Sequence, residues 1–243
     1  MQKVIEFEKV SFSYNSNTVL KGVDMVVQKN DFLAIIGPNG GGKTTILKLM
    51  LGLIAPDKGE IKVLGQPPEK NTLKVGYVPQ FSSHDRFFPI SAKEVVLQGL
   101  IGKNSFTPFY PKKSLVEIEN VMNRLGINER AKERFGDLSG GLKQRTLIAR
   151  AIVGNPEILL LDEPVSSVDS SVEEDIYEML VEFNKKMTIV IVSHDLGFVS
   201  QYVNKVGCVN KTFVCHKTEE MSSEIVDGVY NSKSVMIKHK CGI

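Results

Sequence analysis

Apolar and polar residues alternate with a period of two from Val4 to Phe12, the spacing of a strand with one buried face. Val23–Val27 reads as a second strand. Phe32–Ile36 is apolar at every position, which predicts a strand buried on both faces. A glycine-rich turn follows. Ile46, Leu47, Met50 and Leu51 then recur at helical spacing, predicting a helix from about Lys43 to Leu53. Two short strands, Ile61–Leu64 and Val75–Val78, are expected either side of a loop containing Pro and Gly. From about Ser91 to Gly154 the period becomes 3.6, in the stretches 92–100, 114–125 and 141–153, with no strand pattern between them. Buried-strand runs return at Ile158 and at Thr188–Val192, separated by a helical stretch over Ser171–Asn184. Strands alternating with helices imply a parallel sheet with right-handed crossovers. The expectation is an α/β core interrupted by a helical insert.

Composition narrows the class without selecting a function. Hydrophobic residues make up 42% and charged residues 24% of 243, enough apolar material for a sizeable core, and the length suits one large domain or one domain with an embedded subdomain. The formal net charge of +2 has both signs interspersed, which gives no support to a nucleic-acid partner. Cys208, Cys215 and Cys241 are odd in number and do not read as a disulfide framework, so reduced thiols are expected. No run approaches the roughly 20 apolar residues of a spanning helix, and the N-terminus lacks the apolar stretch of a signal peptide. Any membrane role is therefore expected to come through a partner.

Chemistry enters at residues 37–44, Gly-Pro-Asn-Gly-Gly-Gly-Lys-Thr, a full match to the phosphate-loop pattern G-x-x-x-x-G-K-[ST]. Glycines let the backbone curl so that its N–H groups point at phosphate oxygens, and the following helix presents its positive end to the same anion. Lys43 adds a charge for the outer phosphates, and the Thr44 hydroxyl suits Mg²⁺. A second element, Ile158-Leu159-Leu160-Leu161-Asp162-Glu163, carries two acids to the carboxyl end of a buried strand, where ligands bind in open α/β folds. Asp162 is expected to hold the Mg²⁺ shell, and Glu163 to act as general base on the attacking water.

The discriminating segment is Leu138-Ser139-Gly140-Gly141-Leu142-Lys143-Gln144-Arg145. It resembles the signature motif LSGGQxQR of ATP-binding-cassette ATPases, with Leu142 where that family most often has glutamine. Ser139 suits an N-cap, and two glycines expose backbone N–H groups before an amphipathic helix. That makes a second anion site in a chain with one phosphate loop. Two copies are accordingly expected to pair head to tail, each ATP lying between one copy's loop and the other's signature.

The resemblance covers residues 3 to about 217 and implies the rest. The fold is a P-loop NTPase core, a mixed sheet with N-terminal antiparallel strands, carrying an inserted helical subdomain. A single domain over 1–230 is expected, with the α/β core at 1–83 and 157–217, the helical subdomain at about 84–156 and a tail at 231–243. ATP contacts fall to Gly37, Pro38, Asn39, Gly40, Gly41, Gly42, Lys43, Thr44 and Thr45, to Ser139, Gly140 and Gly141, and to Tyr14, which resembles the aromatic that stacks on adenine. Gln80 resembles the glutamine that meets metal and attacking water, so Thr44, Gln80 and Asp162 are the Mg²⁺ residues. Ser166-Ser167-Val168-Asp169 stands in place of the SALD loop, with Asp169 a dimer contact. His194 resembles the switch histidine that touches the γ-phosphate.

Two further segments are similar to ATPases of zinc and manganese importers. One is Phe81–Ile90 with the helix Ala92–Leu100; the other is Cys208-Val209-Asn210-Lys211 followed by Cys215-His216. The resemblance implies a homodimer on the cytoplasmic face of the plasma membrane, driving a polytopic permease supplied by an extracytoplasmic metal-binding protein. Cys208, Cys215 and His216 fit no common zinc pattern and are not taken as a metal site. Another imported solute, such as an iron complex or vitamin B12, and a soluble non-transport ATPase of the family stay open as alternatives.

Overall fold

The computed structural model describes residues 2–80, 89–102, 111–165 and 169–218, apart from the side chains of Ser170 and Leu196. Its strands are β1 (Lys3–Tyr14), β2 (Asn17–Gln28), β3 (Phe32–Ile36), β4 (Lys58–Val63), β5 (Val75–Val78), β6 (Ile158–Asp162), β7 (Thr188–Val192), β8 (Lys205–Asn210) and β9 (Thr212–Lys217). Its α-helices are α1 (Lys43–Met50), α2 (Ala92–Leu97), α3 (Lys112–Arg124), α4 (Gly140–Ile152), α5 (Ser170–Asn184) and α6 (Leu196–Val199). The contacts divide the chain into two units: the described residues up to Lys70 with those from Val190 onward, and Asn71–Ile189.

In the first unit, β1 pairs antiparallel with both β2 and β4, giving the order β2-β1-β4. Alternation buries Ile5, Phe7, Val10 and Phe12 of β1 against Leu20, Val23, Met25 and Val27 of β2. A second layer has the order β7-β3-β8-β9, in which β3 and β8 are parallel and β8 and β9 antiparallel. All five residues of β3 are buried, as their uniformly apolar sequence predicts. Ile46, Leu47, Leu49 and Met50 of α1 are buried too, and each such side chain removed from water contributes roughly 1.5–3 kcal/mol. The helix stops before the expected Leu53 because Gly52 turns the chain at φ 68 directly after the C-cap, Leu51.

In the second unit, β5 and β6 are parallel, with Val75 opposite Ile158 and Val78 opposite Leu161. Helix α5 buries Ile176, Tyr177, Leu180 and Phe183, one stripe at helical spacing. Helix α3 does the same with Ile118 and Met122, and Leu125 and Ile127 follow it into the core. Helix α2 starts at a capping box: the Ser91 hydroxyl accepts from the Glu94 amide, and the Ser91 amide donates to Glu94 Oε2 at 2.8 Å. The stretch 92–100 is α-helical only to Leu97 and closes as a 3₁₀ turn over Gln98–Leu100. Residues 81–88, part of the first importer-like segment, lie outside the described residues, as do residues 166–168 and the tail.

Candidate nucleotide-binding and hydrolysis residues

Residues 37–44 leave the carboxyl end of β3 and enter α1, so the phosphate-loop pattern sits on a strand–turn–helix. Gly42 is the N-cap of α1 at φ 107, a conformation that L side chains rarely adopt, and a Cβ there would meet Leu20 Cδ2 at 2.7 Å. The cap makes no side-chain hydrogen bond, and no acid stands in the first turn. The amino end of α1 therefore keeps its partial positive charge for an anion.

Lys43 is buried, and its ammonium donates to the carbonyl oxygens of Gly37 at 2.9 Å and Pro38 at 3.2 Å. A buried cation needs such partners, and they hold the charge inside the curve of the loop. Thr44 is half-buried and Thr45 buried, whereas Asn39 and Gly40 are exposed at the crest. Helix start, glycine backbone and ammonium together suit a polyphosphate.

The loop is supported from behind by the turn between β8 and β9. Lys211 N–H donates to the Gly41 carbonyl at 3.4 Å, and a Cβ on Gly37 would strike the Val209 carbonyl oxygen. These residues were legible in the sequence only as part of a C-terminal strand pair; no local pattern announces that they back a loop some 170 positions earlier. In the same unit Tyr14 ends β1 with 43% of its surface exposed, and its ring meets buried Phe12 edge-on, centroids 4.8 Å apart. Its exposed side suits stacking. His194 is exposed just after β7; Asp195 beside it caps α6 by accepting from the Phe198 amide at 2.9 Å.

In the second unit, Asp162 ends β6 and is buried, while Glu163 follows half-buried at φ 48. Left-handed backbone costs a non-glycine residue about 1–2 kcal/mol. Gln80 Nε2 donates to Glu163 Oε2 at 2.8 Å. Register explains the meeting: Val78 lies opposite Leu161, so residues two beyond each fall side by side. Tyr77, on the same strand end, has its phenol pushed up to about 12 by burial and by the charge of Asp162.

Ser139 caps α4, its Oγ accepting from the Leu142 amide at 3.4 Å, and Gly140 is exposed beside it. Arg145, from the same motif, donates to the Leu125 carbonyl at 3.3 Å and to Asp175 Oδ2 at 2.7 Å. Asp169 is the exposed N-cap position of α5, with its carbonyl accepting from Val172 and Glu173.

The ABC transporter family matches residues 20–166, which contain the phosphate loop, the signature turn and both acids. The chain belongs to this family. It is the ATP-binding subunit of an ABC transporter, and such subunits hydrolyse ATP. It is 39% identical over 219 residues to the zinc uptake system ATP-binding protein ZurA of Listeria monocytogenes, spanning 88% of this chain and 85% of that protein. It is 36% identical over 200 residues to the manganese transport system ATP-binding protein MntB of Bacillus subtilis, spanning 82% of this chain and 80% of that one. A metal-chelate type ABC transporter in an inward-facing conformation superposes with a TM-score of 0.84 at 31% identity, over 94% of this chain and 89% of that chain. The ATP-binding-cassette fold expected above is thereby confirmed.

Among the described residues, no helix is long and apolar enough to cross a membrane. Among them, too, no group of three His, Cys, Asp or Glu side chains could hold a metal ion. Cys208 lies opposite Val214, and Cys215 opposite Gly207. The two cysteines therefore point to opposite faces of the hairpin, Cys208 buried and Cys215 exposed.

Proposed function

We propose that two copies of this chain bind ATP head to tail and use its hydrolysis to drive a separate polytopic permease that imports zinc or manganese. The observation that carries the metal assignment is the likeness to zinc and manganese uptake subunits, 36–39% identity over at least 82% of the chain. Other ATP-binding cassettes of solved structure superpose at 22–25% identity and share the fold. The ATPase itself does not read the ion: its own pattern is built for a nucleotide, and selectivity falls to an extracytoplasmic capture protein and the membrane pore.

In this reading the glycine backbone of residues 37–42, the Lys43 ammonium and the hydroxyls of Thr44 and Thr45 hold the phosphates, and Tyr14 stacks on adenine. Thr44, Gln80 and Asp162 offer the oxygen ligands that suit Mg²⁺, which when bound neutralises charge on the β- and γ-phosphate oxygens. Water attacks the γ-phosphorus, its proton passes to Glu163, and the bond to the β-phosphate oxygen breaks, releasing ADP and phosphate. The hydrogen bond from Gln80 orients the Glu163 carboxylate for that transfer. His194 contacts the γ-phosphate. Ser139, Gly140 and Gly141 complete the site of the other copy, and Asp169 lies at the dimer contact. Residues 1–230 act as one domain, with the insert at about 84–156, on the cytoplasmic face of the membrane.

The test is a chromosomal deletion followed by elemental analysis. Cellular zinc or manganese should fall, and growth under chelation should fail until that metal is added back. Unchanged zinc and manganese in the deletion strain would overturn the metal assignment and point to another imported solute.

A further inference from the structure

Helices α4 and α5 pack against each other. A Cβ placed on Gly141 would lie 2.6 Å from Val172 Cγ1, and Arg145 Nη2 lies 2.7 Å from Asp175 Oδ2. The first pair is followed four residues later on α4 and three later on α5 by the second, so both contacts fall on one stripe of each helix. They are not equal in weight. Asp175 is 60% exposed, and ion pairs at such sites contribute little. The Gly141–Val172 contact is close packing, and a β-branched side chain in a helix has one strongly preferred rotamer, so Val172 cannot swing aside cheaply.

Helix α4 begins at the signature turn, capped by Ser139, and α5 begins at Asp169, whose carbonyl holds the Val172 amide at 3.0 Å. We propose that Gly141 is needed because it lets α4 abut Val172, so that the signature turn and Asp169 are held in one fixed spacing; Val172 is thus a positioning residue for ATP-driven pairing. The proposal rests on the head-to-tail reading above, in which both turns face the other copy. It differs from the reading in which Gly141 serves only to bring bare backbone near the other copy's nucleotide. There a methyl group at 141 does harm whatever stands at 172.

A double-mutant cycle separates the two. Gly141→Ala should lower turnover about tenfold or more by overfilling the contact. Nucleotide binding to monomers at low protein concentration should be unchanged, and the protein concentration giving half-maximal turnover should rise. Gly141→Ala/Val172→Ala should return to within about threefold of Val172→Ala alone, because the smaller side chain vacates the overlap. If the double variant stays as slow as Gly141→Ala, or if Gly141→Ala turns over like the wild type, the proposal is wrong. Val172→Phe overfills the contact from α5 with Gly141 intact, and covers the case in which Gly141→Ala does not fold. It too should lose about tenfold, and wild-type turnover in it would overturn the proposal. Failure of the wild-type chain to hydrolyse ATP would instead strike at the head-to-tail ATPase reading.

Discussion

Substituting alanine at two glycines of the phosphate loop separates backbone strain from packing. At Gly42 the backbone sits at φ 107, and the added Cβ would lie 2.7 Å from Cδ2 of Leu20, which is fully buried. Strain of about 1–3 kcal/mol and overpacking of about 1–3 kcal/mol act together there. Alanine recovers only about 0.4–1 kcal/mol through the unfolded chain. At Gly40 the backbone is at φ 76 with nothing within 4 Å of an added Cβ. There the cost is about 1–2 kcal/mol of backbone strain, only partly offset by the same gain in the unfolded chain, and no overpacking is added. A net loss of about 2 kcal/mol lowers the Tm of a chain this size by roughly 4–8 °C. Charged to loop geometry instead, it weakens nucleotide binding by about 30-fold. Melting followed by circular dichroism and titration with a fluorescent ATP analogue measure the two. Gly42→Ala should show one or both effects, and Gly40→Ala neither beyond about 2 °C or fivefold. Equal effects at the two positions, or a Gly42→Ala protein indistinguishable from wild type, would refute the packing argument.

Glu163→Gln should bind ATP normally and lose turnover by about 10²-fold or more, the usual contribution of a positioned acid–base group; phosphate release at near wild-type rate would show another residue to be the base. Lys43→Ala and Ser139→Arg chains should each be inactive alone, yet regain partial turnover when mixed, since one mixed dimer keeps a complete pair of loop and signature; a rate per chain independent of protein concentration would exclude that arrangement. Burial, with a smaller contribution from Cys215, pushes the Cys208 thiol up to about 11. The unfolded chain, with its thiol near 9, gives up that proton first, so stability is whole below pH about 9 and declines as pH rises towards about 11. Denaturant titrations across that window should show the decline in the wild type and a smaller one in Cys208→Ala.

Periodicity over a dozen residues located β3, β6, β7 and the helical stretches, because burial on one face or on both leaves its mark within each element. Residues 37–44 and Ser139 were legible for the same reason: a turn that curls around an anion and a helix start that needs a cap each specify residue types at fixed local spacing. Boundaries were less legible. Strand β1 runs to Tyr14, beyond the expected Phe12, because β2 pairs with its last residues, Ser13 opposite Thr18 and Tyr14 opposite Asn17, and satisfies backbone that sequence alone leaves unassigned.

Pairings between distant segments came only with the tertiary structure. Gln80 reaches Glu163 because β5 and β6 share a register that places Val78 opposite Leu161. Val209 and Lys211 back the phosphate loop because β8 runs beside β3. Gly141 touches Val172 because α4 and α5 share a contact stripe. By itself the sequence determined which residues are equipped to bind phosphate and move a proton, since that depends on side-chain chemistry and local backbone freedom. The tertiary structure decided which of them meet, since register and packing depend on segments far apart along the chain.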